Sequence, residues 1–455
     1  MPPPPPCPPG PPPVPPPMFR RIVGLIIAAA LVTAGCTPGT GSPTAAATAP
    51  EPTGTVEFWH QFTDRESREI ASVVKDFEAK YPKVKVNITD GQDDDKTLQA
   101  IGAGNGPDLA QSFSTDRVGK FCSSGAWVDL KTYIERDKVD LNKIPPTVRS
   151  YTEFRGKRCS MPFLADAYGF YYNSTMLTAA GYSAPPKTLS ELTAMTKALT
   201  KRRADGTIER AGFLPQFGFY EFSPAHMAPA TGASWFTTDG KSAIGSDPAW
   251  KEIMQWQKEL VDWYGYKNLA KFTASLGDEW SADHAFHKGQ VAMMIDGEWR
   301  VAFIRDQAKD LEFGTAPMPV ADSKAGRYGA GYVTGNIIGV SRTAKNPEAA
   351  WALIRYLTTD TAAVAKLANA IKNVPTTTDA LAAATELRAD PQFKVFLDIF
   401  DNPQSTTMPA SAVGTAVEET FSQFLATWQS GSATDMNAGL SDVDKQVDQL
   451  IQLAG

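Results

Sequence analysis

Thr55-Val56-Glu57-Phe58-Trp59 alternates apolar and polar positions, which predicts a half-buried strand. Thr63-x-x-Glu66 follows with the spacing of a capping box, and Ile70, Val73, Val74 and Phe77 then recur on one helical face. Pro82 ends that helix, since proline brings no N–H to continue it, and Val84, Val86 and Ile88 alternate as a second strand. Strand, helix and strand of these lengths make a βαβ unit and hence a parallel pairing. Thr188-x-x-Glu191 opens a further capped helix through Leu192 and Leu199. Asn346-Pro347 caps and starts another, with Trp351, Ile354 and Leu357 on its buried face. Both periods alternate without an internal repeat, so the fold class is α/β.

The beginning of the chain follows neither period. Residues 1–17 are almost all proline and read as a solvated polyproline tail. Met18-Phe19-Arg20-Arg21 then precedes an apolar run from Ile22 to Val32 and the small residues Ala34-Gly35 before Cys36. A positive flank, a short apolar core and small residues are the parts of an export signal, with Met18 as its natural start. The run is too short to span a bilayer comfortably. Leu31-Val32-Thr33-Ala34-Gly35-Cys36 resembles the bacterial lipobox, whose cysteine is acylated and becomes the new N-terminus. Thr33 stands where Leu or Val is usual, which leaves a plain secretory signal as the alternative. Residues 1–36 therefore read as tail plus lipoprotein signal. Residues 37–54, rich in Thr, Pro, Ala and Gly, read as a flexible tether holding the body outside the cell membrane.

At 455 residues the chain has room for one to three domains, and a formal charge of -6 gives no basic face for nucleic acid or anionic lipid. Export changes the reading of Cys122 and Cys159: an even pair in an oxidising compartment predicts a disulfide, with two buried thiols as the alternative. His284 and His287 lie near Glu279 and Asp283 at helical spacing that sketches a zinc set, but a solvated helix face explains the same pattern. No metal and no cofactor are expected. The sequence has no zinc-protease His-Glu motif, Gly-x-Ser-x-Gly elbow or phosphate loop, which argues against an enzyme. Asp93-Asp94-Asp95 keeps a secreted glycosidase as a remote alternative.

A series of fragments then becomes specific by its order. Phe58-Trp59-His60, Phe77-Glu78-Ala79-Lys80-Tyr81-Pro82 and Gly104-Asn105-Gly106-Pro107-Asp108 are followed by Pro162-Phe163 and Tyr171-Tyr172-Asn173. Ala285-Phe286-His287-Lys288-Gly289-Gln290-Val291-Ala292-Met293, Gly297-Glu298-Trp299 and Ala316-Pro317-Met318-Pro319 complete it. The order resembles family 1 extracellular solute-binding proteins, the broad group that includes the maltose-binding proteins. The resemblance implies a two-lobed periplasmic-binding-protein fold of type II, with lobes joined by crossing hinge strands. Lobe one would comprise 54–163 and 325–380, and lobe two 164–324 and 381–455. Crossings would fall near Pro162–Asp166, Ala316–Val320 and Asn373–Thr376. It further implies a monomer that captures a sugar between its lobes and delivers it to the permease subunits of an ABC importer.

A sugar needs aromatic plates for its C–H faces and fixed donors and acceptors for its hydroxyls. Trp299 matches the family position where an aromatic stacks on the sugar, Asp166 follows the first crossing, and Glu221 stands in a stretch resembling a ligand-contacting segment. Tyr168, Trp235 and Tyr332 are further candidate plates, with core packing as the alternative for each. Gln61, Ser114 and Asp116 follow predicted strands, where open α/β sheets hold ligands; a helix cap or solvated loop explains each equally simply. Gly331 would let backbone approach the ligand. Phe58-Trp59-His60 also occurs in glycerophosphodiester binders of the same group, and Arg117, Arg300 or Arg327 would suit a phosphate.

Overall fold

A computed structural model describes Pro43 and residues 45–454. The proline tail, the export signal with Cys36, and most of the tether's first residues (37–42 and 44) lie outside the described residues. Among those described, no helix is long and apolar enough to cross a membrane.

The strands are β1 (Gly54–Trp59), β2 (Val84–Thr89), β3 (Leu109–Ser112), β4 (Met161–Asn173), β5 (Lys201–Arg202), β6 (Ile208–Phe213), β7 (Val291–Gly297), β8 (Phe313–Ala316) and β9 (Val333–Val340). They form one mixed sheet in the order β2-β1-β3-β9-β4-β7-β6-β5, with β8 also on β4. The expected βαβ unit is present. β1 pairs in parallel with β2 from Gly54↔Val84 to Trp59↔Thr89, and the crossover helix Asp64–Lys80 buries Ile70, Val73, Val74 and Phe77. Such a helix can seal its sheet only along one stripe, and these four positions supply it.

Two caps depart from expectation. The Thr63 side chain makes no capping hydrogen bond, because Glu66 points elsewhere, into a cavity. Asn346 likewise leaves its helix uncapped and donates its Nδ2–H to Thr55 O at 2.7 Å. Thr188 and Glu191, by contrast, form the complete reciprocal capping box. Cys122 and Cys159 are joined as a disulfide with Cα atoms 5.6 Å apart.

Two apolar cores fill the fold. Val56, Phe58, Phe77, Trp127, Phe163, Trp351 and Phe396 belong to the first; Phe170, Phe213, Trp250, Met293, Phe421 and Val443 belong to the second. β4 is long enough to serve both: it pairs with β9 through Ala167 and with β7 and β8 from Tyr168 onward. Tyr171, Phe286, Met294, Val301 and Ile304 join the first core from within stretches of the second, and the core also changes at Ala167/Tyr168, at Tyr332/Val333, and between Phe400 and Met408. These three places lie side by side. Tyr168 N–H donates to Tyr332 O at 2.9 Å, Val333 N–H to Thr406 O at 2.8 Å, and Thr406 N–H to Gly331 O at 3.0 Å. Phe393, Phe396 and Ile399 join the first core, because the helix Pro391–Phe400 lies against β4.

Candidate functional site

β7 is buried along its whole length and delivers the chain to a turn at Gly297, Glu298 and Trp299 before the helix Arg300–Gln307. Gly297 is required there: a Cβ would lie 2.3 Å from two atoms of the Trp299 ring, which folds back over its own turn. The ring meets Tyr168 edge-on at 5.4 Å between centroids. Tyr168 stacks on His226 at 3.7 Å and donates its hydroxyl to Glu221 Oε2 at 2.9 Å.

On the same face of β4, a polar cluster gathers beside Tyr168. Asn373 Nδ2–H donates to Asp166 Oδ1 at 2.5 Å and to Glu298 Oε1 at 2.9 Å, and Ala167 N–H donates to Glu298 Oε2 at 2.8 Å. Burial pushes Asp166 up to about 7, and burial followed by the Asp166 charge pushes Glu298 well above the carboxylate range. Burial and the nearness of the two carboxyls both favour their protonated forms.

These groups enclose a cavity of about 220 Å³, lined by Asp166, Tyr168, Glu221, Trp299, Asn336 and Asn373 together with Phe62, Glu66, Phe113, Trp280, Phe303 and Thr334. Burial lifts Glu66 and Glu221 to about 7 as well. A second cavity of about 500 Å³ adjoins it, sharing Phe62, Glu66, Phe113, Trp280 and Phe303 and adding Gln61, Arg65, Asp306 and Gln307. Inside this frame, Trp299 Nε1 and Asn373 Oδ1 are buried and have no hydrogen-bond partner among the described residues. Native interiors rarely leave such atoms unpaired, so a ligand's donors and acceptors are their natural complement.

The expected residues divide. Asp166, Tyr168, Glu221 and Trp299 line the inner cavity and Gln61 the outer one, where its Nε2–H also donates to Asp94 Oδ1 at 2.7 Å. Tyr332 stands one layer behind, its ring 5.7 Å from that of Tyr168. Gly331 is needed for packing rather than ligand approach, since a Cβ would lie 2.6 Å from Ile399 Cγ2 and 2.9 Å from Tyr168 O. Ser114 donates its N–H to Ser112 Oγ, and Asp116 is raised to about 6, chiefly by burial; neither lines these cavities. Trp235 is a core residue, packed on Trp250 at 4.6 Å and Phe421 at 6.3 Å.

The cations suggested for a phosphate are committed elsewhere. Arg117 pairs with Asp95 at 2.8 Å and Asp94 at 3.5 Å; Arg300 pairs with Asp296 at 2.6 Å; Arg327 donates to Pro229 O and Gln404 O. The acidic run is structural too, since Asp93 caps the helix Asp94–Gly102. His284 is buried with its Nδ1 accepting from Phe286 N–H at 3.1 Å, and the described residues contain no group of three or more metal-capable side chains. Phe62, Glu66, Trp280, Phe303, Asn336 and Asn373 were not foreseen. Glu66 carried a competing helix-cap signal, Phe303 stands in the helix Arg300–Gln307, and the others stand in loops or strands with no local mark of a site.

Comparison with known proteins is consistent with this geometry. A family model described as bacterial extracellular solute-binding protein matches residues 72–395. The maltotriose-binding protein of Pyrococcus abyssi is 27% identical over 343 residues, covering 74% of this chain and 70% of that protein. The multiple sugar-binding protein of Streptococcus mutans is 23% identical over 311 residues, covering 67% and 71% respectively. Among solved structures, CpMnBP1 with mannotriose bound superposes with a TM-score of 0.78 at 26% identity, over 86% of this chain and 99% of that one.

Proposed function

The chain belongs to the bacterial extracellular solute-binding proteins, and from that premise we propose that it captures a saccharide in the inner cavity and hands it to the permease subunits of an ABC importer. The observation that carries the reading is the pairing of a buried, unpartnered donor, Trp299 Nε1–H, with a buried, unpartnered acceptor, Asn373 Oδ1, among aromatic walls. A sugar hydroxyl donates and accepts at once, and its C–H faces suit aromatic rings. The relatives named for maltotriose and mannotriose support the same class of ligand. An anion is disfavoured, because the inner wall carries Glu66, Asp166 and Glu221 and no cationic side chain. That chemistry speaks against the glycerophosphodiester alternative.

The family places the body outside the cytoplasm. Within that compartment, Cys36 is the acylated anchor and residues 37–54 the tether, and the protein works as a monomer. The two cores act as lobes that close on the ligand, turning where Tyr168, Tyr332 and Thr406 run together. The ligand leaves unchanged, as transport requires no covalent step.

Isothermal titration over maltose and mannose oligosaccharides, with glycerophosphocholine as the anionic control, tests the ligand class. Trp299→Ala is expected to weaken the cognate sugar at least about ten-fold, the loss of roughly 1.4 kcal/mol of stacking and hydrogen bonding. Binding of glycerophosphocholine alone would replace the saccharide reading. For the anchor, Cys36→Ala is expected to move the protein from membrane to soluble fractions; unchanged membrane retention would remove Cys36 from that role.

A further inference from the structure

Among the described residues, Phe113, Trp280 and Leu453 are the large apolar side chains left exposed, and the first two line the same opening. Trp280 is 49% exposed and nevertheless fixed in place. Its backbone is held, the main-chain N–H donating to Asp278 Oδ1 at 2.9 Å and the main-chain carbonyl accepting from Gln307 Nε2 at 3.3 Å. The Arg300 guanidinium, itself held by Asp296, lies 5.2 Å from the Trp280 ring and 5.1 Å from the Phe303 ring. These two rings stand 5.7 Å apart. A buried cation thus anchors an aromatic pair at the rim. Phe113 belongs to the same wall and meets Phe62 edge-on at 4.6 Å.

A mounted, exposed indole loses little conformational freedom when a flat partner lands on it, and exposed apolar surface of this kind marks a binding face. Volume points the same way. The inner cavity of about 220 Å³ lies below the roughly 300–1,000 Å³ usual for a small-molecule site, and the adjoining space of about 500 Å³ makes up the difference. That outer space also has an unpartnered acceptor, the buried Gln307 Oε1.

Resting on the saccharide reading above, we propose that Trp280 and Phe303 form an outer saccharide subsite. The ligand is a linear oligosaccharide longer than a disaccharide, held with one end in the inner cavity, and Trp280 sets the preference for length.

The test is a calorimetric ladder on the full protein with maltose, maltotriose and maltotetraose, and with mannobiose, mannotriose and mannotetraose. In the series that binds, wild type is expected to gain about ten-fold in affinity beyond the disaccharide, the equivalent of one aromatic stacking contact. Trp280→Ala should abolish that gain, so that its affinities for the disaccharide and the longer sugars agree within about three-fold, whereas Trp280→Phe should keep most of it. Because the side chain is exposed, both variants should fold, and matching thermal melts check this. A flat length profile in wild type, or a gain untouched by Trp280→Ala, overturns the outer subsite while leaving the saccharide reading intact. Binding of neither series overturns both.

Discussion

Asp166 and Glu298 are bridged by the Asn373 amide, and their charges reach the buried Tyr151, with that of Glu298 reaching Tyr171 as well. Glu66, Asp166, Glu221 and Glu418 are each raised to about 7, and Glu279 to about 9, chiefly by burial. A carboxyl raised on folding binds more protons in the native state than in the unfolded one. Its contribution to stability is therefore complete below the unfolded value near 4 and is lost as pH rises through the folded value. The buried histidines act in the opposite sense: His60 and His226 are lowered to about 4 by burial, so they weaken the fold only as pH falls below about 6.5. Between about pH 6.5 and 8.5 the carboxyls thus act alone. Thermal or urea melts should show wild-type stability falling across that window. Asp166→Asn should remove up to about 1.4 kcal/mol per pH unit of the slope, the limit for one titrating group. An identical slope in the variant would show that Asp166 is ionised throughout.

At the level of elements, the sequence reveals what repeats and conceals what converges. The strand–helix–strand opening was legible because Val56 and Phe58 keep a period of two while Ile70, Val73, Val74 and Phe77 keep the helical one. The Thr188 box was legible because Glu191 has nothing better to bind than its own helix start. Thr63 and Glu66 share the same spacing, yet Glu66 faces the cavity, so a local rule yielded to the site. Asp108 is structural: it receives Glu57, Lys345 and Asn346 N–H groups from two separate segments. Trp299 could be singled out because Gly297-Glu298-Trp299 resembles a family fragment. Trp235 could not be told from a plate, since its partners Trp250 and Phe421 stand 15 and 186 residues further along the chain. Asn373 reaches Asp166 across 207 positions, and no window of sequence contains that contact.

For the whole molecule, the arrangement of cores determines what motion is cheap. The cores meet at Ala167/Tyr168, Tyr332/Val333 and the Phe400–Met408 link, although Tyr171, Phe286, Met294, Val301 and Ile304 carry the first core beyond those points. The three segments are hydrogen-bonded to one another there, so they can turn as a set. What must change on opening is the contact of Glu298, carried beyond β7, with Asn373 and Ala167, together with the cavity walls on either side. A ligand touching both walls favours the closed arrangement by its difference in affinity for the two, whereas one gripping a single wall shifts nothing. Small-angle scattering with a saturating cognate oligosaccharide is therefore expected to show a smaller radius of gyration than the free protein. Trp299→Ala should require more sugar for the same compaction. Superimposable curves at saturation would mean that the cores are locked together and that the cavity fills without lobe movement.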